Sequence, residues 1–352
     1  MSWKKKAITI SALSALTTFT IHLANKIIDI SATSENHEQN TAGSYFEWKF
    51  GNIYYEKYGE GEPVLLIHDF SVGSSSYEWH RIIDKLAKSH LVYTIDLLGC
   101  GRSEKPSITY TNYLYVQLIT DFINQVIDSP CDVIATGISG SFAIAAVQNN
   151  KNLINRIILV NPEDVNKLNK MPSKRSKSLT WFLNMPVFGT YFYNILVKRR
   201  LITDKFKNEY FYDHYKLKEE YINNYYETAH LDHSSSKYLL SSLLGHYTTV
   251  NVYHCMKSLT NSIFIISGDE DSRNADIACK YESILPSIEI MKIEDTNGDG
   301  VWEYNYHEVG KRTFLPRMYY QPIPQYVIDK NPVIREQNGG EDGWVNGQNP
   351  GY

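Results

Sequence analysis

Short apolar runs recurring between helical stretches constrain this chain more than any other feature. Val64–Ile67 (VLLI), Val92–Leu97, Asp132–Thr136, Ile157–Val160, Ile263–Ser267 and Ile288–Ile293 are each a few residues long and rich in aliphatic side chains. That is the pattern of strands buried on both faces. Tyr77–Ala87, Tyr113–Ile127 and Phe142–Val147 carry helical patterns between them. Strand, helix, strand in repetition implies parallel βαβ units and an α/β fold. Tyr45–Phe50 and Ile53–Tyr58 are expected to pair as a hairpin around Gly51-Asn52. The rhythm breaks once, from Glu163 to Ser258, where the chain is helix-patterned and aromatic. An insertion at that point would lie over the C-terminal ends of the strands, where α/β proteins bind ligands.

The length, 352 residues, suits one large α/β domain with such an insertion. With 43% hydrophobic and 21% charged residues, neither a disordered chain nor a multi-span membrane protein fits. A net charge of −4 gives no bulk attraction for nucleic acid, so no nucleic-acid partner is expected. Cys100, Cys131, Cys255 and Cys279 are scattered without CxxC spacing, which argues against a zinc site or a disulfide framework.

The N-terminus has its own character. After Lys4, Lys5 and Lys6 comes the uncharged stretch Ala7–Ala24, about 27 Å long as a helix at about 1.5 Å per residue. Three readings are open: a membrane anchor, a signal-peptide apolar region, and an amphipathic surface helix. The lysines favour an N-terminus kept in the cytoplasm, and the protein is expected to be membrane-associated or exported. Ser31–Gly43 is small and polar and is expected to be a linker, so the folded body begins near residue 44.

Three motifs carry chemistry. Gly137-Ile138-Ser139-Gly140-Ser141 follows an expected strand and opens an expected helix, the setting of a nucleophile elbow, where small neighbours let a serine project from a tight turn. His68-Asp69-Phe70 follows the third strand, and Asp96-Leu97-Leu98-Gly99-Cys100-Gly101-Arg102-Ser103 follows the fourth. In that order and spacing they resemble the α/β-hydrolase superfamily from Tyr45 to about Ile293. The resemblance implies an α/β-hydrolase fold, a mostly parallel sheet with a helical lid insertion at about 163–258. It also implies a serine hydrolase of the esterase or acyl-hydrolase type with Ser139 as nucleophile and the amides of Phe70 and Gly140 as oxyanion hole. Asp69 stands where the family commonly has glycine. Asp271, in Gly268-Asp269-Glu270-Asp271 after the next-to-last strand, is the implied acid, with Glu163 or Asp164 at a second possible position. No metal or organic cofactor is implied, and the expected partner is a small ester or other acyl compound.

The resemblance fails at the base. No histidine follows Ile293 closely; the first is His307, and the lid histidines His230, His233 and His246 are weaker candidates. Without an imidazole a serine hydroxyl lacks a general base. From Asp295 onward the irregular tail, with PIPQYVIDKNP and the closing QNPGY, resembles the end of SusD/RagB-type glycan-binding lipoproteins. A non-catalytic protein that binds a ligand or glycan is therefore the competing expectation.

Overall fold

The computed structural model describes residues 3–34, 43–211, 217–268 and 272–293. The expected tail from 295 lies outside them. Helix α1 (Trp3–Ala32) precedes a hairpin of β1 (Ser44–Trp48) and β2 (Gly51–Tyr58). There follow β3 (Glu62–Ile67), α2 (Ile83–Leu86), β4 (His90–Ile95), α3 (Asn112–Phe122), β5 (Cys131–Thr136), α4 (Ser139–Asn149) and β6 (Ile154–Val160). Seven helices fill the interval before the next strand: α5 (Val165–Leu168), α6 (Lys174–Leu183), α7 (Phe188–Leu196), α8 (Arg199–Lys205), α9 (Glu219–Ser234), α10 (Lys237–Leu244) and α11 (Val252–Met256). Strand β7 (Ser262–Gly268), α12 (Ser272–Ile284) and β8 (Glu289–Ile293) complete the described chain.

The strands form one sheet in the order β1-β2-β4-β3-β5-β6-β7-β8. Strands β4 through β8 of that order run parallel, while β1 pairs antiparallel with β2 and β2 with β4. The two-residue alternation of a strand sends neighbours to opposite faces. Leu65 and Ile67 join the larger core with α3 and α4, whereas Val64 and Leu66 join the smaller one with Trp79 and Ile83. Both faces are covered around the central strands, which is why runs such as Val64–Ile67 and Ile157–Val160 are apolar throughout, while the edge strand β8 is partly exposed.

Two expected helices differ. Tyr77–Ala87 is not continuous: a 3₁₀ turn at Ser76–Trp79 precedes the short α2. Trp79 there drops onto the sheet face beside Val64 and Val92, and this packing overrides the local helical pattern. Helix α1 runs past Ala24 to Ala32: no Gly or Pro stops it, and Asn25 and Asp29 are held there by hydrogen bonds with Val187, Asn194 and Ser234. The first two residues of the expected linker, Ser31 and Ala32, therefore belong to α1.

Candidate functional site

The loop after β4 explains itself as architecture. Asp96 is fully buried; its Oδ1 accepts from the Ser76 amide at 2.6 Å and its Oδ2 from the Arg102 amide at 2.8 Å. Gly101 sits at φ +48, and a Cβ there would come within 2.1 Å of Asp96 Oδ2. Ser103 Oγ donates to the Asp96 carbonyl and accepts from the Tyr54 amide. The turn ties β2, β4 and the loop after β3 into one unit, and that loop carries His68, Asp69 and Phe70.

His68 is buried with both ring nitrogens engaged. The Leu97 amide donates to Nε2 at 3.0 Å, so the proton is on Nδ1, which donates to the Asp69 carbonyl at 2.6 Å. Burial lowers its pKa from the ordinary 6.5, and the ring is a neutral strut. Phe70 is held by its ring, edge-on to Tyr115 and to Phe142 with centroids 4.4 and 5.1 Å away.

The strand-to-helix turn itself places its strain at one residue. Strand β5 ends at Thr136 and α4 begins at Ser139, and between them Gly137 has φ +55, in the left-handed region. In a nucleophile elbow the strained apex is the position that presents the reactive side chain. Here that position has no side chain. A Cβ built on Gly137 would stand 2.1 Å from Asp69 Oδ1 and 2.9 Å from its Cγ. The carboxylate of Asp69 thus occupies the space in front of the apex, and the Ile138 amide, the next one along the chain, reaches its Oδ1 at a long 3.4 Å.

Ser139 lies two residues further on, as the first residue of α4. It is buried, and its Oγ donates to the His68 carbonyl at 2.6 Å; its partner is a backbone oxygen and not an imidazole. The expectation that Ser139 stands at the tip of the turn is corrected to Gly137, because β5 stops early enough for the bend to fall there. Gly140 lies within α4 and faces β6: a Cβ on it would meet Leu159 Cδ2 at 2.6 Å, so its smallness serves helix-to-sheet packing. The signal for this frame is in the sequence. Ala135-Thr136-Gly137-Ile138-Ser139 has small residues flanking the apex just as Gly137–Ser141 does, and only the end of β5 chooses between them.

Asp271 and His307 lie outside the described residues. The second acidic position is spent on ion pairs: Glu163 with Lys167 at 3.1 Å and Asp164 with Lys280 at 2.8 Å. The Lys280 hydrogen bond holds the Asp164 carboxyl below its usual range. In the lid, His230 is buried with Nδ1 2.7 Å from the Tyr226 carbonyl, and burial lowers its pKa. Among the described residues, no group of three or more His, Cys, Asp or Glu could hold a metal ion.

Comparison with known proteins agrees with the fold. A 2-hydroxy-6-oxo-6-(2'-aminophenyl)hexa-2,4-dienoic acid hydrolase of Metapseudomonas resinovorans is 30% identical over 108 residues, 30% of this chain and 37% of that protein. A soluble epoxide hydrolase of Corynebacterium sp. (strain C12) is 26% identical over 129 residues, 37% of this chain and 42% of its own length. The chain thus matches well under half the length of these relatives. Among solved structures, a serine hydrolase involved in carbazole degradation superposes with a TM-score of 0.63 at 17% identity, covering 80% of this chain and 99% of its own. A carboxylesterase of the ammonia-oxidizing thaumarchaeon Nitrososphaera gargenis gives 0.59 at 16% identity, covering 78% of this chain and 98% of its own. The alpha/beta hydrolase fold family matches residues 62–297, two thirds of the sequence, and the chain belongs to that family.

Proposed function

We propose that this chain is a membrane-anchored member of its family that binds a small molecule without hydrolysing it. The observation that carries this reading is Gly137 at the strained apex with the Asp69 carboxylate in front of it. Hydrolysis of an acyl bond needs donors aimed at a developing oxyanion. A carboxylate beside the Ile138 amide opposes that charge and takes up the donor. The same carboxylate would accept a hydrogen bond from a ligand hydroxyl or ammonium, so a polyol, a glycan end or an amine suits the site better than an ester. Helix α1 supports the anchor: 18 consecutive residues of it are apolar enough to cross a bilayer and none is buried. Its Thr9, Thr17, Thr18 and Thr20 hydroxyls donate to carbonyls four residues back, which removes much of the cost of placing them in lipid.

A second reading is supported by the hydrolase names of the relatives and by the GISGS run. In it Ser139 attacks a small ester, Asp271 orients His307, and Phe70 and Gly140 amides hold the oxyanion. It requires Ser139 Oγ to leave the His68 carbonyl and turn out of α4. Turnover of p-nitrophenyl butyrate by the purified full chain separates the two. The proposal expects a rate no higher than that of Ser139→Ala; efficient turnover abolished by both Ser139→Ala and His307→Ala would refute it.

A further inference from the structure

Helix α1 buries polar side chains against the body and leaves an apolar stripe exposed. Its polar Asn25 and Asp29, one turn apart, are buried, while Leu16, Phe19, Leu23, Ile27 and Ile30 form one exposed apolar stripe. The polar pair docks on the lid. Asn25 Nδ2 donates to the Val187 carbonyl at 2.9 Å, Asn194 Nδ2 donates to Asn25 Oδ1 at 3.2 Å, and Ser234 Oγ donates to the Asp29 carboxylate. A helix in water turns its apolar face to the protein. This one turns Asn25 and Asp29 to the protein, with Ala32 and the half-buried Ile21 and Ile28 beside them, and leaves the apolar stripe from Leu16 to Ile30 for another solvent. The stripe continues without interruption from the stretch that can cross a bilayer into the part held by α7 and α9.

The lid surface beside it has matching character. On α7, Phe188, Tyr191 and Ile195 recur at three- and four-residue spacing and are exposed, opposite the buried Tyr193 and Asn194. On the neighbouring α6, Trp181 is 69% exposed. From Val165 to Thr203 the chain has eight Lys or Arg and no Asp or Glu, against a net charge of −4 for the whole. Three of the eight pair with acidic residues outside that interval, Lys167, Arg199 and Arg200. Lys174, Arg175 and Lys177 are exposed at the start of α6, and Lys198 just beyond α7. Exposed aromatics with basic residues around them, contiguous with an apolar helix, are what the headgroup layer of an anionic bilayer accommodates.

We infer that the α6–α7 face of the lid lies on the membrane surface, so that α1 anchors the lid against the bilayer and does not merely tether the body at a distance. This rests on the reading of α1 as an anchor, and the test separates the two. Cys279 is the one exposed cysteine among the described residues. In a Cys279→Ser background, Leu16→Cys, Ile195→Cys and Tyr113→Cys each receive an environment-sensitive nitrobenzoxadiazole label; Tyr113 is exposed on α3, outside the α6–α7 face. The proteins are reconstituted in phosphatidylethanolamine vesicles containing phosphatidylglycerol, with and without nitroxide-bearing lipids.

The inference expects emission at 16 and 195 to be severalfold higher than at 113 and quenched by the nitroxide lipids. It also expects replacement of phosphatidylglycerol by phosphatidylcholine to reduce quenching at 195 and leave 16 unchanged. Quenching at 16 with position 195 behaving like 113 would overturn the inference and leave the anchor intact. No quenching at 16 would overturn both. High emission at 195 without quenching would mean that protein, such as a second copy, covers the face, and would also overturn it. Tyr191→Cys repeats the measurement should Ile195→Cys fail to fold.

Discussion

Adding a methyl group at Gly137 tests whether Asp69 fills the apex of the turn. At φ +55 an L-residue costs about 1–2 kcal/mol relative to glycine. The new Cβ would also stand 2.1 Å from Asp69 Oδ1, well inside the contact distance of about 3.5–4.0 Å. The carboxylate must swing away and give up the Ile138 amide, a loss of about 1–2 kcal/mol for a partly buried, charged acceptor. Gly137→Ala is therefore expected to destabilise the fold by about 2–4 kcal/mol. In an Asp69→Gly background the overlap is gone and only the backbone strain remains, so the same substitution should cost about 1–2 kcal/mol. Any gain from the stiffer unfolded chain appears in both backgrounds and cancels from the cycle. Chemical denaturation of the four proteins in detergent gives a coupling energy of about 1–2 kcal/mol on this reasoning. Additivity within about 0.5 kcal/mol would show that Asp69 does not occupy the apex.

Further outcomes follow from the same geometry. Ser139→Ala removes the donor to the buried His68 carbonyl and should cost about 1–2 kcal/mol of stability by denaturation, with no loss of esterase rate. His68 has a folded-state pKa below its unfolded value, so the unfolded chain takes up the proton first as pH falls. Its contribution is complete above about pH 6.5 and is lost below it; His230 acts in the same direction. Denaturation midpoints followed from about pH 7.5 to 5.5 should fall, and fall less steeply in a His230→Asn variant. Asn194→Leu strips Asn25 of its donor and should loosen α1 from the lid, measured as faster proteolysis in the 33–43 segment.

The sheet was legible because its strands are buried on both faces, so runs such as Val64–Ile67 and Ile157–Val160 have no polar alternation to confuse them. The one-time insertion between β6 and β7 was legible for the converse reason, a long aromatic stretch at helical spacing. Local pattern failed where tertiary contacts decide. Trp79 is pulled onto the sheet and breaks the expected helix at Tyr77–Ala87. Helix α1 continues to Ala32 because Asn25 and Asp29 find partners on α7 and α9, partners that no local window contains. At the turn, two overlapping sets of small residues satisfy the same motif, and the frame depends on β5 ending at Thr136, a boundary set by pairing of Thr136 with Val160 on β6. The order of motifs gave the family, while the identity of the apex residue needed the backbone.

The central claim is that the turn after β5 presents no nucleophile. Incubating the purified full chain with a fluorophosphonate and measuring its intact mass tests this directly, since such reagents phosphonylate an activated serine and leave the adduct in place. The account predicts an unmodified mass under conditions that fully label a competent serine esterase run beside it. A stoichiometric adduct mapping by peptide analysis to Ser139, and absent from Ser139→Ala, would contradict it.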